Sequence, residues 1–182
     1  MNLTTAYGLL AHGILCGALA ASLPLGALRQ RVALAATALA MLVGIAPLLH
    51  ALFGPPSLTL LQLGILQLAG RSPWPLGPRP ALGLMAVAIP FHVCTLAGWP
   101  FDPYAAGYQP WPLLAALLPV GLACWWRRQT AWLAILAVDL LGYAAGVFVN
   151  LWDALCDPML VAVALFVVVR RLAIRLIAAM RR

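Results

Sequence analysis

Glutamate and lysine are both missing from this 182-residue chain. Its acidic side chains are four aspartates, and its eleven basic ones are all arginine. Without lysine no retinal Schiff base can form, whatever the helix count. Charged residues make up only 8% of the chain and hydrophobic ones 65%, with a mean hydropathy of +1.01. A soluble domain of this length has no interior large enough for that much apolar surface. A lipid bilayer takes the place of such an interior. No Ser, Gly or acidic linker interrupts the chain and no repeat of fixed period is visible, so residues 1–182 read as one polytopic domain. Basic clusters interleaved with aromatics are missing too, which argues against a nucleic-acid partner. The net charge of +7 reads instead as orientation and contact with anionic lipid.

Residues 1–28 hold no positive charge, so the basic start of a signal peptide is lacking. "ALAAS" at 18–22 has the small residues of a cleavage site. The first apolar segment is nevertheless expected to be a span. HxxxH, HExxH, CxxC and GxSxG are all absent. That removes the usual sequence signatures of zinc hydrolases, thiol oxidoreductases and serine hydrolases.

What is present is a series of apolar segments separated by Pro, Gly and Arg. At about 20 apolar residues per span, crossings are expected at about 5–24, 31–53, 56–70, 81–98, 112–126, 130–150 and 155–176. Backbone groups in lipid must bond internally, so these should be helices. The segment 56–70 is short enough to be a re-entrant loop. Charge favours a full crossing. With seven spans all eleven Arg fall on one side, whereas with six they divide two against nine. The positive-inside rule then puts the N-terminus outside and the C-terminus, with "RRLAIRLIAAMRR", on the cytoplasmic side. The expected fold is an all-α bundle of about seven transmembrane helices, and the Ala-, Leu- and Arg-rich composition suggests a bacterial inner membrane.

This topology gathers the rare polar groups. "NLWDALCDP" (150–158) becomes the outer connection between spans six and seven, carrying Asp153 and Asp157, while Asp102 lies in another outer loop. His12, His50, His92, Cys16, Cys94 and Cys156 all fall in the outer half. Asp139, Gly142, Gly146, Asn150 and Asp153 are spaced as one helical stripe. An aspartate near the midplane should face protein or water. Gly8, His12, Cys16 and Ala20 form a similar column on span one. The expectation is that Asp139, Asn150 and Asp153 share an outward-facing ligand cavity with His12 and His92.

Several chemistries fit parts of this set. His12, His50 and His92 are candidate ligands for a copper, zinc or haem redox site, although the residues name no cofactor. Asp139 or Asp153 is the candidate base of a membrane hydrolase. Cys94 and Cys156 are a candidate disulfide, the other reading being two inert thiols. Asp139, Gln62, Gln67 and Asn150 suit the substrate-binding subunit of a transporter. Trp99, Phe101, Tyr104, Tyr108 and Trp111 crowd a proline-rich loop that suits an interfacial belt or a docking surface. Of these, the favoured function is non-enzymatic: an accessory subunit whose outward polar cluster binds another membrane or periplasmic protein, or a small ligand.

Overall fold

A computed structural model describes residues 3–70, 76–97 and 102–180. Trp99, Phe101, Arg71, Arg181 and Arg182 lie outside these residues. The described residues are helical, with no strand. In chain order the helices are α1 (Leu3–Ala20), α2 (Arg29–Leu42), α3 (Ile45–Phe53), α4 (Leu58–Leu68), α5 (Pro78–Leu96), α6 (Trp111–Trp126), α7 (Thr130–Ala144), α8 (Leu151–Leu155) and α9 (Pro158–Met180).

Each apolar segment of the sequence carries a helix, but three depart from the expected spans. The segment 31–53 is not one helix. It breaks at Gly44, which adopts a left-handed φ of 85° that side chains disfavour. The α2 stretch and α3 consequently meet at 72°. The segment 130–150 ends early, because α7 stops at Ala144 and Gly146 has a φ of 74°. The stripe expected from Asp139 to Asp153 is therefore cut after Gly142. Asn150 and Asp153 belong to the short helix α8, and the last long helix begins only at Pro158.

Among the described residues two helices, α1 and α5, are long and apolar enough to cross a membrane, and the bent α2–α3 pair makes a third if it acts as one span. Helices α4, α6 and α7 are apolar but shorter. With eleven residues, α4 reaches about 16 Å at the helical rise, roughly half the thickness of a hydrocarbon core.

Packing alternates in direction. α2 runs antiparallel to α1, since Gly13 faces Met41 and Gly17 faces Thr37 and Ala33. α4 runs parallel to α1: Tyr7 donates to the Pro56 carbonyl just before α4, and Gly64 meets Leu15 and Ala18 farther along. α7 runs antiparallel to α4, with Gln62 against Ile135 and Leu58 against Gly142. The polar faces of α1 and α7 do not look at each other, because α4 stands between them.

Small and polar groups share the interior with leucines such as Leu76, Leu151 and Leu160. Ala11, Ala40, Ala46, Ala81, Ala154 and Ala164 are buried, as are His12, Asp139 and Asn150. Outside, Leu42, Leu96 and Trp126 are each more than four-fifths exposed (83, 85 and 91%). Water would favour the reverse arrangement. Small residues at helix contacts, with large apolar ones left on the outside, suit close helix packing in lipid.

Arg29 closes one end. Its Nε donates to the Ala21 carbonyl at 2.9 Å and its Nη2 to the Gln67 carbonyl at 2.5 Å. One guanidinium thus satisfies backbone acceptors at the C-terminal ends of both α1 and α4, where a positive charge is also favoured by the helix dipoles.

The α1–α2 seam depends on Gly17. A Cβ there would lie 2.1 Å from Thr37 Oγ1 and 2.8 Å from the Ala33 carbonyl oxygen. The hydroxyl can rotate, but the backbone oxygen cannot. Gly17→Val should therefore lower stability by about 1–3 kcal/mol, read from unfolding of the detergent-solubilised protein by increasing SDS. Unchanged unfolding would mean that the seam is looser than described.

Candidate functional site

Residues 102–110, α8 and the C-terminal part of α5 meet at the end of the molecule opposite Arg29. The short sequence between α7 and α8 explains how. Asn150 precedes α8 in an extended conformation, and its side-chain oxygen accepts from Trp152 N at 2.9 Å, an N-cap bond. Its amide nitrogen donates to the Tyr104 carbonyl at 3.0 Å. Trp152 Nε1 donates to the Pro103 carbonyl at 2.9 Å. The Tyr104 hydroxyl donates to Asp153, 3.0 and 3.1 Å from its two oxygens. Phe91 of α5 packs on the Trp152 ring with centroids 4.3 Å apart. Gly107 presses on Asn150 so closely that a Cβ would sit 1.7 Å from Asn150 Oδ1. The result is a cap in which Asn150 and Asp153 bind the protein's own loop.

Burial holds the Asp153 carboxyl above its usual range, against the opposing effect of the Tyr104 hydroxyl, and Asp157 nearby adds to the rise. The Tyr104 phenol is likewise raised, first by its own burial and then by Asp153.

Asp139 has a different surrounding. On α7 it accepts from Thr59 Oγ1 at 2.6 Å and from Gln62 Nε2 at 2.8 Å, both on α4. It is a buried tie between two helices, 1% exposed. His12 on α1 places Nε2 at 2.9 Å from the Gly54 carbonyl and lies beside His50 of α3, with ring centroids 6.1 Å apart. His92 turns back on its own helix, with Nδ1 2.7 Å from the Ala88 carbonyl. The five residues expected to share one cavity are thus divided. Asn150 and Asp153 form the cap, Asp139 joins α4 to α7, and His12 meets His50. His92 bonds within α5 beside Phe91, one edge of the cap.

Two further expectations are corrected by this placement. The three His do not converge, because His92 is engaged on α5 while His12 and His50 share the α1–α3 interface; no group of three or more His, Cys, Asp or Glu is assembled among the described residues. Cys94 and Cys156 are not joined, and all four cysteines are free thiols. Cys94 lies near the end of α5, whereas Cys156 ends α8, and its extended backbone carries the chain into α9.

Asp157 is the functional-looking residue that spacing alone passed over. One carboxylate oxygen accepts from Leu160 N at 2.5 Å and the other from Ser57 N. It caps α9 and holds the start of α4 at once. Its sequence signal is Asp before Pro at a helix start, an N-cap followed by an N1 proline.

Compared with known proteins, the chain matches no family model, no curated protein and no solved structure.

Two outcomes test these sites. Asp139→Leu leaves the Thr59 and Gln62 donors unpaired and should cost about 2 kcal/mol, whereas Asp139→Asn keeps an acceptor and should cost under about 1; equal SDS unfolding of the two variants would contradict the tie. The raised Asp153 carboxyl means that the folded cap holds its proton more tightly than the unfolded chain. That contribution is complete below the ordinary carboxylate value of about 4 and is lost as pH rises through the raised folded value. Denaturation followed by tryptophan fluorescence should show this decline between acid and neutral pH, and Asp153→Asn should remove it.

Proposed function

We propose that this chain is a multi-pass inner-membrane protein of about seven spans, N-terminus out and C-terminus in. Its function is non-enzymatic: an accessory subunit whose outer cap docks another membrane or periplasmic protein. The observation that carries this reading is the chemical opposition of the two ends. Arg29, Arg79, Arg127 and Arg128 stand at one end, at or beside the ends of α1, α5, α6 and α7. The other end is the hydrogen-bonded cap. The alternating helix directions suit one crossing for each apolar segment, with α2 and α3 as a single bent crossing. Short helices such as α4 are accommodated by local thinning of the bilayer or by flanking connections shielded within protein.

The cap favours docking over catalysis. Its polar groups are satisfied by one another, so they are spent on stiffness. Beside the exposed Asp102 and Gln109 it leaves open an apolar, aromatic surface: Tyr108, Trp111 and Val149 are 54, 79 and 79% exposed. Rigid aromatic side chains with little entropy to lose are effective interface anchors. The cavity reading, a small ligand bound among Asp139, Asn150 and His12, has less support, because these residues contact different elements.

Single cysteines, introduced into a chain whose four native cysteines are replaced by serine, test the topology. Tyr108→Cys should react with a membrane-impermeant maleimide in intact spheroplasts, and Gln129→Cys only after permeabilisation. The opposite pattern would overturn the orientation. A photo-crosslinking residue at Tyr108 in native membranes should give one discrete protein adduct, lost when Gly107→Leu disrupts the cap; adducts to lipid alone would overturn docking.

A further inference from the structure

Three buried polar atoms lack a hydrogen-bond partner among the described residues: His12 Nδ1, His50 Nδ1 and Gln67 Oε1. Two of them belong to neighbouring imidazoles. Buried polar atoms are nearly always paired, and those that are not call for an explanation such as an ion. His12 is fully buried, at 0% exposure. Its Nε2 faces a carbonyl oxygen, which can only accept. In the neutral ring the proton therefore sits on Nε2, and Nδ1 is left with a free lone pair. The His50 ring is brought against α1 by Gly8, where a Cβ would lie 2.4 Å from His50 Nδ1. Any other residue at position 8 would push this ring away.

We propose that His12 and His50 form a two-imidazole site for Cu(I), clamping α3 onto α1. Three observations favour this ion. With both Nδ1 atoms turned toward one ion, two metal–nitrogen bonds of about 2 Å each, extended by the distance from each nitrogen to its ring centre, would span about the 6.1 Å centroid separation found. Both donors are neutral, and the nearby Asp157 carboxylate is already engaged by Ser57 N and Leu160 N. A singly charged ion is the least costly to hold in such a dry place. Zinc ordinarily takes four ligands, and no third His, Cys, Asp or Glu joins the pair among the described residues. Cu(I), whose coordination can be completed by two imidazoles, fits better. The Gly54 carbonyl behind His12 is the outer partner that fixes the tautomer and aims the free nitrogen. The site is independent of the docking reading: either can fail without the other.

The test is anaerobic loading of the purified full chain with Cu(I) under reductant, followed by desalting and X-ray absorption at the copper edge. The expected result is one retained equivalent with two nitrogen neighbours and linear coordination. His50→Gln should weaken retention by more than the roughly 10–100-fold that follows loss of an outer-shell partner, and His92→Gln should leave it unchanged. Sulfur neighbours would assign the copper to the free thiols and overturn the proposal, as would equal retention by wild type and His50→Gln. If His50→Gln does not fold, the wild-type spectrum decides alone, with two nitrogens supporting the site and any sulfur or four-coordinate spectrum overturning it.

Discussion

The connection between α3 and α4 is the part on which the rest of the bundle hangs. Within residues 54–59 three separate elements find their anchor. His12 meets the Gly54 carbonyl and Tyr7 donates to the Pro56 carbonyl, so α1 is tied twice. Ser57 N donates to Asp157, which fixes the start of α9. Thr59 donates to Asp139, which fixes α7. The constraint behind this is general. A chain break inside an apolar environment exposes backbone donors and acceptors that water cannot reach, and each must be satisfied by protein. A Gly-Pro-Pro break cannot satisfy itself, because the prolines carry no N–H. The scarce polar side chains are therefore spent here.

Seen this way, the acids are divided by location. Asp139 and Asp157 serve the bundle, and Asp153 serves the cap. Arg29 stands at the opposite end, where it closes α1 and α4 through their carbonyls. Structural duty accounts for Asp139, Asp153, Asp157 and Arg29. Packing does not explain the open nitrogens of His12 and His50, the Gln67 Oε1 atom or the exposed aromatics of the cap.

Much of the architecture was legible in the sequence. The Pro, Gly and Arg breaks marked where helices stop, and the apolar segments between them carry helices. Burial of Asp139 followed from the cost of a carboxylate in lipid. Other features were hidden for physical reasons. Helical spacing carried the polar stripe straight through Gly146, because a 3.6-residue period takes no account of a left-handed residue. Gly44 broke the second segment for the same reason, and Pro47, in the first turn of α3, marks the break only weakly because a helix start tolerates proline. The partners of His12 and Asp139 come from positions 54 and 59, and only the packing of three helices brings them together. His92 looked equivalent to His12 in depth and type. The difference is a bond to its own helix, which spacing does not reveal.

The most direct test of this account is hydrogen exchange, followed by mass spectrometry, on a peptide spanning 54–61 in a lipid nanodisc. If the connection is the anchor described, the Ser57, Leu60 and Leu61 amides should exchange as slowly as the middle of α4. Asp157→Ala should then release Ser57 together with the first turn of α9. Exchange of 54–61 at the rate of an open loop in the wild-type chain would contradict the account. The helices would then have to be held together by apolar packing alone.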